Sequence, residues 1–451
     1  MQLDTCVLDV RDQRRNILLY SLCTSMVYFS AAVVYVGIVA AGLCQNLGAS
    51  DTVANLPIAA FYLAMSTPLV VAWRFHSAAA IKPVLFFSFL VAAMGCVLVA
   101  ATLFFPASNR ARIVAVILHS AATGCALSVT SIFQWDVISR GIDARRRGTA
   151  LSLAHGIGPL FAVVGSLGAQ VLLAGEVLVP WYDLNLGWHW MQIARAPAAF
   201  PSNYAELFIA AAVLLAIAAL FSTRYVVPRS LTAELPRAPM MATLMQQGRV
   251  FLSNATLRRT IAAYLLVGSA GTAVSTMTLF ATETTGNTAP NMAGYQSAIG
   301  FVFKVAAGLI LGWLVATTNA RVGTMATALL FFAGIVWALT ASQGSYVLCF
   351  GFMGAGDLYG VYFPYYVMAA SAQQEVRQNI AYLHLLGLPV CVAPALLGAI
   401  SDEFGRQSGL LFAAASVTAA LILMATGLPR NPGAPKSKLM EFSSSLTSGL
   451  N

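Results

Sequence analysis

Apolar residues gather into twelve long runs, at about 17–41, 55–73, 83–104, 112–136, 149–173, 204–222, 260–282, 294–317, 322–341, 345–370, 378–399 and 407–427, with polar stretches between them. Each run is near the ~20 residues that a helix needs to cross the ~30 Å hydrocarbon layer of a bilayer. The runs are continuous, whereas the strands of a membrane barrel would show roughly ten-residue stretches of alternating polarity. A helix also satisfies its backbone polar groups internally, which hydrocarbon demands. The predicted fold class is therefore all-α integral membrane, with twelve transmembrane helices. Its parts are a segment at 1–16, a six-helix bundle at 17–222, a connector at 223–259, a second six-helix bundle at 260–427 and a tail at 428–451 whose Ser, Gly and Lys content reads as disordered.

Basic residues orient this pattern. Three precede the first helix, two lie in loop 2–3 (Arg74, Lys82), four in loop 4–5 (Arg140, Arg145, Arg146, Arg147) and six in the connector; Arg321, Arg377 and three in the tail make twenty on one side. The other side has four: Arg110, Arg112, Arg195 and Arg406. By the positive-inside rule both termini are expected in the cytoplasm, with the chain in the cell (inner) membrane. The first run lacks a small-residue cleavage site and reads as a retained helix. Charged residues are only 9% of the 451, against about 25% in soluble proteins, and mean hydropathy is +0.77. A soluble enzyme and a nucleic-acid partner are both excluded, and the net charge of +9 reports topology. Seven cysteines form no CxxC pair, so neither a metal site nor a disulfide framework is expected. No cofactor motif is present.

The halves resemble each other. Arg14-Arg15-Asn16-Ile17-Leu18-Leu19-Tyr20 opens helix 1 as Arg258-Arg259-Thr260-Ile261-Ala262-Ala263-Tyr264 opens helix 7. Arg147, Pro159 and Gly168 of helix 5 recur at a spacing of 230 as Arg377, Pro389 and Gly398 of helix 11. Both matches join helices six crossings apart, which predicts a parallel six-plus-six repeat. Loop 8–9 carries Gly308, Gly312, Asn319, Arg321 and Gly323, and helix 5 carries Gly156-Ile157-Gly158-Pro159 followed by Gly165. With these features the chain, over about 15–427, resembles the major facilitator superfamily, although Ala72-Trp73-Arg74-Phe75-His76 lacks that family's loop 2–3 signature. The helix 5 motif is similar to one common in the family's exporters. The resemblance implies two bundles about a central cavity, faced by helices 1, 4, 7 and 10, that rock to expose a midplane site to either side.

Two charges fall deep in apolar runs: Lys304 in helix 8 and Asp357 in helix 10, about 15 and 18 Å from the same face at 1.5 Å per residue. A lone charge at that depth costs about 2.5–3.5 kcal/mol on insertion scales, so each is expected to pair with the other. The pair reads either as a switch that a substrate anion or a proton opens, or as a permanent clamp between two helices. Tyr359, Tyr362, Tyr365 and Tyr366 follow Asp357, and Gly351, Gly354, Gly356 and Gly360 suggest close packing or bending. Tyr20, Thr24 and Tyr28 form a stripe on helix 1, with Tyr35 beyond; helix 7 offers Thr272, Ser275, Thr276 and Glu283. Tyr20, Thr24, Tyr28, Thr276 and Tyr362 are candidate substrate contacts beside the charged pair, though hydroxyls of this kind also satisfy helix carbonyls. His155 and His384 hold equivalent places in helices 5 and 11 and are candidate proton relays. Asp136 and Arg147 are candidate gate residues. Loop 5–6, with Trp181, Trp188 and Trp190, is expected to lie along the membrane surface, and Met240 to Phe251 to form an interfacial helix.

No nucleotide-binding GxxxxGK[ST] stretch is present, which disfavours an ATP-driven pump, and no nucleophile and base converge as in an enzyme. The expectation is a monomeric, proton-coupled secondary transporter of a small polar or amphipathic solute. The alternatives are a drug or metabolite exporter, or a sensor on the same helices that moves nothing.

Overall fold

The computed structural model describes residues 8–430 and 432, apart from 36, 76, 144–145, 147–149, 151–152, 184–186, 229–239 and 372–375. Helices 3 (Ile81–Phe104), 4 (Asn109–Gly141), 6 (Ser202–Ser222), 8 (Ala289–Thr317), 9 (Ala320–Thr340) and 12 (Arg406–Gly427) run unbroken. The other six are interrupted. Helix 1 is built from Val10–Phe29, Ala31–Val34 and Ile38–Asn46, and helix 2 from Asp51–Ala64 and Pro68–Arg74. Helix 7 divides into Ala255–Gly271 and Val274–Thr285, and helix 10 into Leu348–Gly356 and Tyr359–Ala369. Helix 5 opens with a π turn at Leu153–Ile157 before Gly158–Ala174; helix 11 has a 3-10 turn at Leu388–Cys391 between Val376–Leu386 and Val392–Phe404. The π turn ends two residues before Pro159 and the 3-10 turn contains Pro389, so each repeated proline lies at an irregular turn.

Several helices start earlier than their apolar runs, because polar caps extend them. Asp9 accepts a hydrogen bond from the Arg11 amide, and Asn254 accepts from the Thr256 and Leu257 amides. Ser50 caps helix 2 four residues ahead of the expected start. Loop 5–6 departs further from expectation: it is an antiparallel hairpin of β1 (Glu176–Asp183) and β2 (Gly187–Ala194), paired from Glu176 opposite Ala194 to Asp183 opposite Gly187. Its β-branched and aromatic content suits a strand, which the tryptophan signal masked. The connector residues Met240–Ser253 form the expected helix, whose Phe251 ring packs 6.0 Å from that of Tyr382 on helix 11.

Each half has its own buried apolar cluster, one around Cys23, Leu43, Phe89 and Tyr204, the other around Val267, Phe331, Phe350 and Tyr366. Large apolar side chains also face outward, among them Leu309, Ile310 and Trp313 of helix 8, as expected where the solvent is lipid. The repeat recurs in the polar contacts. Asn16 at the start of helix 1 donates to the Gly141 and Val226 carbonyls and accepts from the Val226 amide, tying it to the end of helix 6. Arg259 at the start of helix 7 donates to the Gly427 carbonyl at the end of helix 12.

Small residues set the closest helix crossings. A Cβ on Gly354 would lie 2.2 Å from the Gly300 carbonyl oxygen, so helices 8 and 10 touch backbone to backbone there. Gly165 similarly abuts the Phe29 carbonyl of helix 1, and Gly356 abuts the Phe331 ring. Gly360, by contrast, borders open space. Gly354→Val is therefore expected to force helices 8 and 10 apart and to lower stability by about 1–3 kcal/mol, the range typical of overpacking. Gly360→Ala should change the thermal unfolding of detergent-purified protein little. Equal melting behaviour of the two variants would show that the crossing is not close.

Candidate functional site

The Gly300–Gly354 crossing positions the two deep charges. Lys304 lies one helical turn after Gly300, and Asp357 lies three residues after Gly354, where helix 10 is interrupted. The Lys304 ammonium donates to Oδ2 of Asp357 in an ion pair. Asp357 keeps a right-handed backbone, φ −61° and ψ −12°, and its amide still bonds the Met353 carbonyl at 3.0 Å. The bend is thus a local tightening next to Gly356, whose missing side chain admits Phe331. The structure brings the two charges read from the sequence into direct contact.

The partners are unequally covered. The Lys304 side chain is 14% exposed, with its ammonium 5.7 Å from the Tyr35 ring centre and 6.0 Å from that of Phe301. The Asp357 side chain is 46% exposed. Tyr35 of helix 1, Tyr62 of helix 2, Tyr264 of helix 7 and Tyr359 of helix 10 all lie within electrostatic reach of its carboxylate. These tyrosines come from both bundles. Tyr28 stacks on Tyr35 at 5.9 Å and meets Phe301 edge-on at 6.2 Å; Tyr359 bonds the Tyr62 hydroxyl and packs 5.4 Å from Tyr264.

Of the candidates read from sequence, Lys304, Asp357 and Tyr28 come together. Tyr20 and Thr24 share the same helix face, bonded to each other and buried one and two turns from Tyr28. Tyr362 is turned away: it packs on Gly323 in a cluster with Ala307 and Leu311. Thr276 is buried in the second segment of helix 7 beside Gly409, and its hydroxyl has no hydrogen-bond partner among the described residues. His155 lies in the π turn of helix 5, and His384 is exposed on the first segment of helix 11. Asp136 sits 4.0 Å from Arg140 one turn along helix 4, whereas Arg147 is outside the described residues. Among the described residues no cluster of three or more His, Cys, Asp or Glu could hold a metal ion.

Sequence reasoning missed the seal at the end of the bundle opposite the termini. Arg406, at the start of helix 12, grips Asp51 of helix 2 with two bonds of 2.6 and 2.8 Å and also reaches Glu283 at 2.8 Å and the Leu279 carbonyl at 2.9 Å. Asp402 of helix 11 accepts the Asp51 and Thr52 amides at 2.7 and 2.9 Å, capping helix 2 from the other bundle. Beside it Gly398 abuts the Thr52 backbone. The symmetry-related seam joins helices 5 and 8: Gln170 donates to the Pro290 and Asn291 carbonyls, accepts from the Gly294 amide at 2.9 Å and lies over Gly294. The Leu178 amide of the hairpin donates to the Tyr295 hydroxyl on helix 8. Towards the terminal end, the first segments of helices 1 and 7 pack chiefly within their own bundles. The bundles are thus joined across the far end by Arg406, Asp402 and Gln170. Isolated acids and arginines at helix ends were the available signal, but partners some 350 residues apart in sequence leave no local pattern.

No protein-family model matches the chain, and no curated protein matches it in sequence. Solved structures do match. The nucleoside transporter NupG superposes with a TM-score of 0.67 at 11% identity, covering 92% of this chain and 100% of that one. A D-xylose–proton symporter gives 0.62 at 14%, covering 93% and 98%. A bacterial homologue of the human drug peptide transporters gives 0.60 at 12%, covering 96% and 99%. The shared architecture extends over nearly the whole of both chains in each comparison. The chain is a multi-pass membrane protein that shares the fold of these solved structures, with nine helices among the described residues long and apolar enough to cross a membrane.

Proposed function

We propose that the protein is a secondary transporter that moves a small polar or amphipathic solute by alternating access, coupled to protons, with the Lys304–Asp357 pair as its working centre. The observation that carries this reading is the half-exposed carboxylate at the bend of helix 10, with tyrosines of both bundles within electrostatic reach of it. A pair that served only as a clamp would have no use for a half-exposed carboxylate. An acid so exposed can be met by solute or proton, and either event weakens its hold on the ammonium. The excess of basic residues at the terminal face supports a cytoplasmic placement of that face, and on that reading the seal at the opposite end faces outward. His384, exposed on the inner part of helix 11, offers a proton a stop between cleft and cytoplasm. The structural neighbours, a nucleoside transporter and a xylose–proton symporter among them, support a transporter rather than an enzyme.

Purified protein reconstituted in liposomes with an internal pH dye, and challenged in turn with nucleosides, pentoses, dipeptides, organic acids and amines, is expected to carry protons with one of these classes. Solute-independent dye signals throughout would leave a sensor. Asp357→Asn should reduce flux at least tenfold while the protein remains folded. The neutral double variant Lys304→Met, Asp357→Asn removes the buried unpaired cation and should be folded yet inactive; wild-type flux from it would establish the clamp.

The far seal generates a further expectation. Removing one partner from a largely buried charged cluster typically costs about 3–5 kcal/mol, so Arg406→Ala should shift the population towards the outward-open state. In a cysteine-free background a cysteine replacing Thr276 should then react faster with a membrane-impermeant thiol reagent applied from outside. An unchanged rate would mean that Arg406 does not hold the seal.

A further inference from the structure

A solute entering the cleft meets the two charges differently. The Lys304 ammonium is spent on Oδ2 of Asp357 and screened by the Tyr35 and Phe301 rings. The carboxylate is the more exposed partner, and its Oδ1 accepts no hydrogen bond from the described residues. Tyr35, itself 36% exposed, and the half-buried Tyr62 lie within electrostatic reach of it from the first bundle, and Tyr359 and Tyr264 from the second. A free carboxylate oxygen edged by aromatic rings suits a protonated amine, which combines a charge-assisted hydrogen bond to the acid with attraction to the ring faces. An anion entering by the same route meets the acid first, and reaches the ammonium only past its aromatic cover. The expectation from sequence alone, a pair opened by a substrate anion or a proton, did not separate the two partners by access.

We infer that the site recognises an organic cation: a protonated amine carrying a flat or apolar body, which docks on Asp357 in competition with the Lys304 ammonium. The inference rests on the reading of this pair as the transport site and adds the substrate's charge. The competition fixes the sign of each variant. Without the lysine, the acid is uncompensated and holds a cation more tightly; without the acid, the remaining lysine repels it. For an anion both signs reverse.

The test uses three probes of one shape: 2-phenylethylamine, the neutral 2-phenylethanol and the anionic 3-phenylpropanoate, each titrated against the purified full chain by thermal shift. The amine is expected to stabilise the protein, with the alcohol and the acid at least tenfold weaker. Lys304→Met should tighten amine binding at least tenfold, and Asp357→Asn should abolish it. Stabilisation by 3-phenylpropanoate that Lys304→Met removes would overturn the inference, as would a shift with none of the three probes. Should either variant fail to fold, the ranking of the probes on the unaltered protein decides. Amine binding without flux in liposomes would sink the transporter reading and leave the cation site standing. Flux of neutral or anionic solutes that needs the pair would do the opposite.

Discussion

The contact between helices 8 and 10 at Gly300 and Gly354 governs the centre of this molecule. Two ionised groups at mid-membrane depth are tolerable only as a pair, and a pair needs both backbones close enough for a four-carbon lysine stem and a short aspartate to meet. The glycines supply that approach, with the Gly354 Cα against the Gly300 carbonyl. Van der Waals contact and the ion pair then reinforce each other, since lipid offers no hydrophobic drive to hold helices together. The interruption of helix 10 belongs to the same arrangement. Gly356 yields to the Phe331 ring, the chain bends at Asp357, and the carboxylate stays half-exposed rather than being sealed between helices.

At the far end a different economy holds. Arg406, Asp51, Glu283 and Asp402 join helices 2, 7, 11 and 12 through charged hydrogen bonds and a borrowed helix cap, while Gln170 closes the symmetry-related seam with neutral ones. In the closed state these groups trade water for each other, and when the seam opens they regain water. The net preference is then far smaller than the gross attraction, because desolvation offsets most of it. Such a seam suits a protein with two states of similar energy, since a few kcal/mol of differential binding is enough to exchange them. An apolar seam of equal area would hold one state more firmly and would expose a hydrophobic face when opened.

The fold was legible because its signal is one-dimensional. Twelve apolar runs and a biased distribution of arginine and lysine require only counting, and the Arg14–Arg15 and Arg258–Arg259 helix starts mark the repeat. Lys304 and Asp357 were equally visible, each the odd charge in its run. What could not be read was direction around a helix. Tyr362 follows Asp357 closely yet packs on Gly323, while Tyr35, Tyr62 and Tyr264 reach the carboxylate from three other helices. The breaks in helices 1, 7 and 10 shift the helical phase, so stripes counted at 3.6 residues per turn lose register across them. The hairpin at 176–194 was hidden for another reason: aromatic residues favour both strands and membrane surfaces, and composition does not separate the two.

Pairing also explains why the centre carries a lysine at all. A lone carboxylate at this depth would leave an unbalanced charge in the membrane whenever no cation was bound. The ammonium balances it and leaves the site as a whole neutral. A solute that engages Asp357 therefore does not create a charge in the membrane; it redistributes one already balanced. Because the acid hangs from the bend of helix 10 and the lysine from unbroken helix 8, loosening the pair releases a hinge on one side only. On the proposed reading, the bend is where such a change would pass into movement of the bundle, and the tyrosines of helices 1 and 2 within electrostatic reach of the carboxylate are where the opposite bundle would sense it.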